Sequence, residues 1–107
     1  MNRWTLIGTE QLGRFLNGLS EEERTKVNSI FLLFEEYGQT LPAKYLKRMV
    51  GTKELLELRA KRVRIFIVIY GNIGIAVHGI IKKSQKTPKQ DIELAVKRAI
   101  KAKKDLL

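Results

Sequence analysis

The chain has 107 residues, 21 Lys+Arg against 11 Asp+Glu, a formal net charge of +10 and no cysteine. That length predicts one domain over residues 1–107 with a core of its own, and the lack of cysteine excludes disulfides, thiol catalysis and Cys-ligated zinc. A hydrophobic content of 44% excludes a disordered basic tail, so the excess charge calls for a polyanionic partner: nucleic acid, an acidic protein surface or anionic lipid.

The start, Met1-Asn2-Arg3-Trp4, lacks the apolar core and cleavage site of a secretion signal. The longest stretch without a formal charge, Ile65 to Ile81, is broken by Gly71-Asn72-Ile73-Gly74 and falls short of the roughly 20 apolar residues of a membrane span. A hairpin in a soluble, cytoplasmic protein with no membrane partner is the expectation. Residues 1–40 carry four basic and six acidic side chains, whereas residues 41–107 carry 17 and five. The functional surface is therefore expected in the second part.

In chain order, Trp4 to Ile7 reads as a short strand closed by Gly8. Thr9 caps a brief helix with Leu12, Phe15, Leu16 and Leu19 at helical spacing. Ser20-Glu21-Glu22-Glu23 is a capping box. The helix behind it presents Val27, Ile30, Phe31, Phe34 and Tyr37 as a core stripe and ends at Gly38, which tolerates the left-handed conformation needed there. After Leu41-Pro42, Ala43 to Val50 reads as one or two helical turns.

Beyond Gly51 the period changes. Leu55 to Arg59 and Arg64 to Tyr70 are rich in the residues of strands. Gly71 to Gly74 is the turn, and Ile75 to Ile81 is the returning strand. Thr87-Pro88-Lys89-Gln90 opens a last helix, with Thr87 as cap and Pro88 at the first position; Ile92, Ala95, Val96 and Ala99 are its apolar stripe. The order β-α-α-β-β-β-α predicts an α+β domain, with an N-terminal helix pair and a C-terminal helix packed on a mostly antiparallel sheet.

The chemistry available is cationic. There is one histidine, His78, which reads as a hydrogen-bonded structural residue, and no metal set or cofactor loop is expected. Arg59, Lys61, Arg62 and Arg64 surround one strand turn, and Lys82, Lys83, Lys86 and Lys89 follow the last strand. Alternation puts Glu57 and Arg59 on one face of their strand, with Arg64 facing the same way across the turn. Such a cluster binds phosphates or stabilises the extra charge of a phosphoryl-transfer transition state; a solvated rim is the plainer alternative.

Glu57-Leu58-Arg59, Arg64-Ile65-Phe66, Val77-His78-Gly79-Ile80-Ile81-Lys82-Lys83 and Lys86-Thr87-Pro88 stand in an order and spacing that resembles the HigB-like branch of the RelE/ParE toxin superfamily, which includes phage-derived host-inhibition toxins. The resemblance covers roughly residues 55–90. It implies a RelE-like domain acting as the toxin of a type II toxin–antitoxin pair. Its activity would be that of a metal-independent endoribonuclease (an mRNA interferase) using the ribose 2′-hydroxyl as nucleophile on the ribosome. It further implies Arg59, Arg64, Lys83 and Lys86 as catalytic, Lys61, Arg62, Lys82 and Lys89 as RNA-binding, and a helix-turn-helix antitoxin of the HigA type as partner. Ile80 replaces a phenylalanine of the family pattern, and no tyrosine follows Lys83. A gyrase-inhibiting toxin of the ParE type and a non-catalytic nucleic-acid-binding module are the competing expectations, since fold alone does not choose among them.

Overall fold

The computed structural model describes residues 3–52 and 54–106; Met1 and Asn2, part of the start read for a secretion signal, lie outside them. Five strands, β1 (Thr5–Gly8), β2 (Leu46–Arg48), β3 (Leu55–Ala60), β4 (Val63–Tyr70) and β5 (Ile73–Ile81), form one sheet in the order β1-β5-β4-β3-β2. Only β1–β5 is parallel; the other three pairings are antiparallel. Helices α1 (Glu10–Asn17) and α2 (Glu21–Tyr37) precede β2, and α3 (Lys89–Leu106) follows β5.

Local capping sets the helix starts. Thr9 Oγ1 accepts from the Leu12 N–H at 3.3 Å. In the capping box the Glu23 N–H donates to Ser20 Oγ at 3.1 Å, and the Ser20 N–H donates to Glu23 Oε1 at 2.9 Å, so exposed amide donors of the first turn are satisfied. Gly38 ends α2 at φ 57° with the Trp4 indole pressed against its Cα, a place where both the backbone angle and the space call for glycine.

The sheet has a different core on each face. Leu12, Val27, Ile30 and Phe34 of α1 and α2 pack on Leu56, Leu58, Ile65 and Ile67. On the other face Ala95, Ala99 and Ala102 of α3 pack on Leu55, Phe66, Val68 and Val77; the small side chains let the helix backbone come close. Strand β5 serves both faces through a bulge. Phe66 pairs with His78 and Ile67 with Ala76, which leaves Val77 as the extra residue. The bulge shifts the phase, so that Ile75, Val77, His78 and Ile80 are directed to the α3 face while Gly74, Ala76 and Gly79 face α1 and α2. A Cβ at Gly79 would strike Phe15, and one at Gly74 would strike Phe34.

Four expectations are corrected. Residues 43–50 are not helical. The Pro42 carbonyl accepts from Tyr45 and Leu46 in a single turn, and the chain then pairs with the outer edge of β3, Leu46 opposite Leu58, because unpaired strand groups there outweigh a short helix without caps. Tyr37 is 49% exposed; it stands at the last position of α2, and Phe31 is only half-buried. The β4–β5 turn is Gly71-Asn72 alone, since Tyr70 pairs with Ile73. Helix α3 starts at Lys89, one place later than expected; the Pro88 carbonyl accepts its first bonds, from Asp91 and Ile92.

Candidate functional site

Strands β3 and β4 are joined by the two residues Lys61 and Arg62, and Arg59 lies directly opposite Arg64. Like charges in that position repel, and the fold answers with a carboxylate. Glu57, on the same face two residues before Arg59, is 2% exposed, and its Oε1 accepts from Arg59 Nε at 2.8 Å and lies 3.7 Å from Arg64 Nε. The expected face-sharing of Glu57, Arg59 and Arg64 is therefore present.

The two arginines are held differently. Arg64 is the more buried, and its Nη1 donates to the carbonyls of Lys61 and of Val63, the latter at 3.2 Å. Its Nε is buried without a hydrogen-bond partner. Burial makes its charged form costlier and lowers its pKa; Glu57 opposes that effect and Arg59 adds to it. Arg59 is the more open, with its side chain 28% exposed. It gives Nε to Glu57, so its remaining donors are the Nη groups, the pair that suits a phosphate.

Around this cluster opens a cleft of about 280 Å³. Glu57 and Arg59 line its floor, Lys47 and Arg48 of β2 one side, and Lys82, Gln85 and Lys86 of the segment after β5 the other. A bond of 2.7 Å from the Lys82 N–H to the Arg62 carbonyl holds the start of that segment against the β3–β4 turn. A neighbouring surface is lined by Arg62, Arg64, Lys82 and Lys83. Of the residues expected from the sequence, Arg59, Lys82 and Lys86 thus meet in the cleft, and Arg62, Arg64 and Lys83 adjoin it. Lys61 faces a third groove, beside α2. Lys89 does not line the cleft; its side chain is almost fully exposed on α3, 4.0 Å from Glu93.

Lys47 and Arg48 escaped the sequence reading, because a three-residue strand has no periodicity to betray it. A run of β-compatible residues after a prolyl turn was the only available sign.

His78 is separate from this chemistry. Arg98 Nη1 lies 2.8 Å from its Nδ1, and Asp91 Oδ1 lies 2.8 Å from its Nε2. An arginine only donates, so Nδ1 is the acceptor towards Arg98 and Nε2–H donates to Asp91, and the ring stacks on Phe66. The triad ties α3 to β5, as expected of a structural histidine. Among the described residues no group of three or more His, Cys, Asp or Glu is placed to hold a metal ion, and no helix is long and apolar enough to cross a membrane.

Comparison with curated protein sequences returns no match. Among solved structures, the chain is similar to a double arginine-to-alanine mutant of the Escherichia coli toxin RelE in the free state, with a TM-score of 0.61 at 13% identity over 95% of this chain and 98% of that one. The likeness extends over helices and sheet alike and shows that the fold is RelE-like. A family model described as phage-derived protein Gp49-like matches residues 14–99, a span that takes in α2, the whole of β2 to β5 and most of α3. On that match the chain belongs to the Gp49-like family of phage-derived proteins, in its RelE-like fold.

Proposed function

We propose that residues 1–107 form the toxin domain of a type II toxin–antitoxin pair, a cytoplasmic endoribonuclease that cuts messenger RNA on the ribosome. One observation carries this reading: three separate segments bring Lys47, Arg59, Lys82 and Lys86 around one open cleft, over a buried carboxylate that holds the arginines in place. A merely solvated rim has no need of a buried anchor. Membership of the Gp49-like family and the likeness to RelE support it.

The chemistry follows from the cations. The 2′-hydroxyl of the ribose attacks the adjacent phosphorus, a proton leaves that hydroxyl, the bond to the 5′-oxygen breaks, and that oxygen takes up a proton. Arg59 meets the phosphate and the charge that grows on it, while Arg64, tied to the turn carbonyls, adds fixed positive potential beside it. Lys86, in the same cleft, serves the leaving oxygen or the proton transfer; Lys83 supports it from the adjoining surface. Lys61, Arg62, Lys82 and Lys89 contribute attraction to the backbone, which positions RNA without reading its sequence. A helix-turn-helix antitoxin of the HigA type is the expected neutralising partner.

Primer extension on RNA from cells expressing the chain, with pulse labelling of protein and DNA synthesis, tests the proposal. New 5′ ends within translated messages and an early fall in protein synthesis are expected. An early fall in DNA synthesis with intact messages overturns it in favour of a gyrase inhibitor. Neither effect, with RNA still bound, overturns it in favour of a non-catalytic binding module.

A further inference from the structure

The cleft around Arg59 is not cationic throughout. On the α3 face, strand β3 runs Arg59, Glu57, Leu55, from charged to apolar. Strand β2 follows the same order beside it. Lys47 stands opposite Glu57, and Met49, whose N–H donates to the Leu55 carbonyl at 3.0 Å, stands one step further on. Arg59 and Leu55 are four residues apart, about 13 Å along the strand. Over that length the lining of the cleft passes from Arg59 and Lys82 to Met49, Val50 and Ile92.

The apolar half is open to water. Met49 packs on the α3-face core yet stays half-buried; Ile92, in the first turn of α3, is half-buried too, and Val50 is 85% exposed. Gln85 and Thr87 of the segment after β5 complete this end. A phosphate gains nothing from such a wall, whereas a nucleotide carries an apolar base face at a fixed reach from its phosphate. We infer that the apolar half of the cleft is a base subsite. One nucleobase lies with its face on Met49 and Ile92, the phosphate joined to it meets Arg59, and the Gln85 amide meets its edge.

The subsite works without an aromatic partner. No described residue that lines the cleft is aromatic, so the attraction comes from apolar area taken out of water and from the polarizable thioether of Met49, which adapts to a flat ring. Aliphatic faces carry no pattern of donors and acceptors, so the wall takes any base. The edge falls to Gln85, whose amide offers both a donor and an acceptor. At about 280 Å³ the cleft has room for a nucleotide and none for a helix about 10 Å across.

The bound base gives the cations something they lack. Every phosphate of a strand is alike to a lysine or an arginine, so cations alone let RNA slide from one phosphate to the next. A base held on Met49 and Ile92 stops the slide at one register and keeps its phosphate on Arg59, where attack by the 2′-hydroxyl needs it. For this role the inference rests on the endoribonuclease reading; the binding of a nucleotide does not.

The test is a titration of the full, isotope-labelled chain with adenosine 5′-monophosphate, cytidine 5′-monophosphate and, as the probe without a base, ribose 5-phosphate. Both nucleotides are expected to bind at least about fivefold tighter than ribose 5-phosphate. They should also move the methyl signals of Met49 and Ile92 upfield, the mark of a ring face above them. Gln85→Leu, a change at an exposed position, should weaken both nucleotides about threefold and ribose 5-phosphate not at all; unchanged nucleotide affinity overturns the edge contact. Equal affinity for nucleotides and ribose 5-phosphate, or unmoved methyl signals, overturns the inference. A chain that cuts messages yet shows no base-dependent binding rejects the base subsite alone, and one that binds both nucleotides on Met49 and Ile92 yet leaves messages intact rejects the endoribonuclease reading alone.

Discussion

Removing the Glu57 charge while keeping its shape, as Glu57→Gln does, separates the roles of the two arginines from their mere presence. The carboxylate is 2% exposed and lies 2.8 Å from Arg59 Nε and 3.7 Å from Arg64 Nε. Taking one partner from a buried ion pair costs about 3–5 kcal/mol; with the Arg59 side chain 28% exposed, water recovers part of that, and about 2–3 kcal/mol remains. For a domain of this size each kcal/mol lowers the melting temperature by about 4–8 °C, so a fall of about 10–20 °C is expected by circular dichroism. Binding and cleavage should then move in opposite directions. The variant carries one more net positive charge, so its affinity for unspecific RNA should rise and the salt dependence steepen by about one counterion. Cleavage should fall by about 10²–10³, because Arg59 and Arg64 repel and leave the phosphate geometry. Fluorescence anisotropy and primer extension read the two effects. A variant that melts and cuts like the parent would refute the view that Glu57 holds the site together.

Arg64→Ala should lose about 10²–10³ in cleavage and also about 1–3 kcal/mol of stability, since its Nη1 donates to two turn carbonyls; Arg64→Lys should recover cleavage only partly, because an ammonium cannot copy the planar fork. Melts and growth assays on both variants check this, and a folded, fully toxic Arg64→Ala protein removes Arg64 from the site. Gly38→Ala puts a Cβ 2.1 Å from the Trp4 ring at φ 57°, so a loss of about 2–3 kcal/mol or more is expected in denaturant melts. Lys61 sits at φ 58°, and Lys61→Gly should raise stability by up to about 1 kcal/mol, because the backbone carbonyl that Arg64 uses is kept; a lower melting temperature would contradict this.

Which parts of the fold showed in the sequence follows from how locally they are specified. The Ser20–Glu23 box, the Thr9 cap and the Gly38 stop act within a few residues, and each stands where the pattern puts it. Strands β4 and β5 carry enough Ile, Val and Phe to be read directly, and the leucines of β3 lie just before them. Strand β2 does not, because Leu46–Arg48 is a strand only by virtue of the β3 edge that it covers. Lys47 and Arg48, and with them one wall of the cleft, were hidden for that reason. The Val77 bulge is equally silent, since Ile75 to Ile81 alternates no differently from an unbroken strand. Alternation did reveal that Glu57, Arg59 and Arg64 share a face, but not that Glu57 is buried beneath them; its neighbours on the cleft walls, β2 and the 82–88 segment, come to it only through the pairing of the sheet.

The α3 face of the sheet explains why the site is where it is. Along β3 this face runs Leu55, Glu57, Arg59, and along β4 Arg64, Phe66, Val68. Apolar residues occupy the half that Ala95, Ala99 and Ala102 cover; charged ones occupy the half that the helix leaves open. His78 stands at the boundary, beside Phe66 and opposite Asp91 and Arg98. A helix shifted toward the turn would bury the arginines, and one shifted away would expose Phe66 and Val77 to water at about 25 cal/mol per Å². The polar triad therefore sets the line at which core stops and site begins. The directional bonds at both nitrogens of the His78 ring fix a position that alanine packing alone, smooth and without knobs, would leave free to slide.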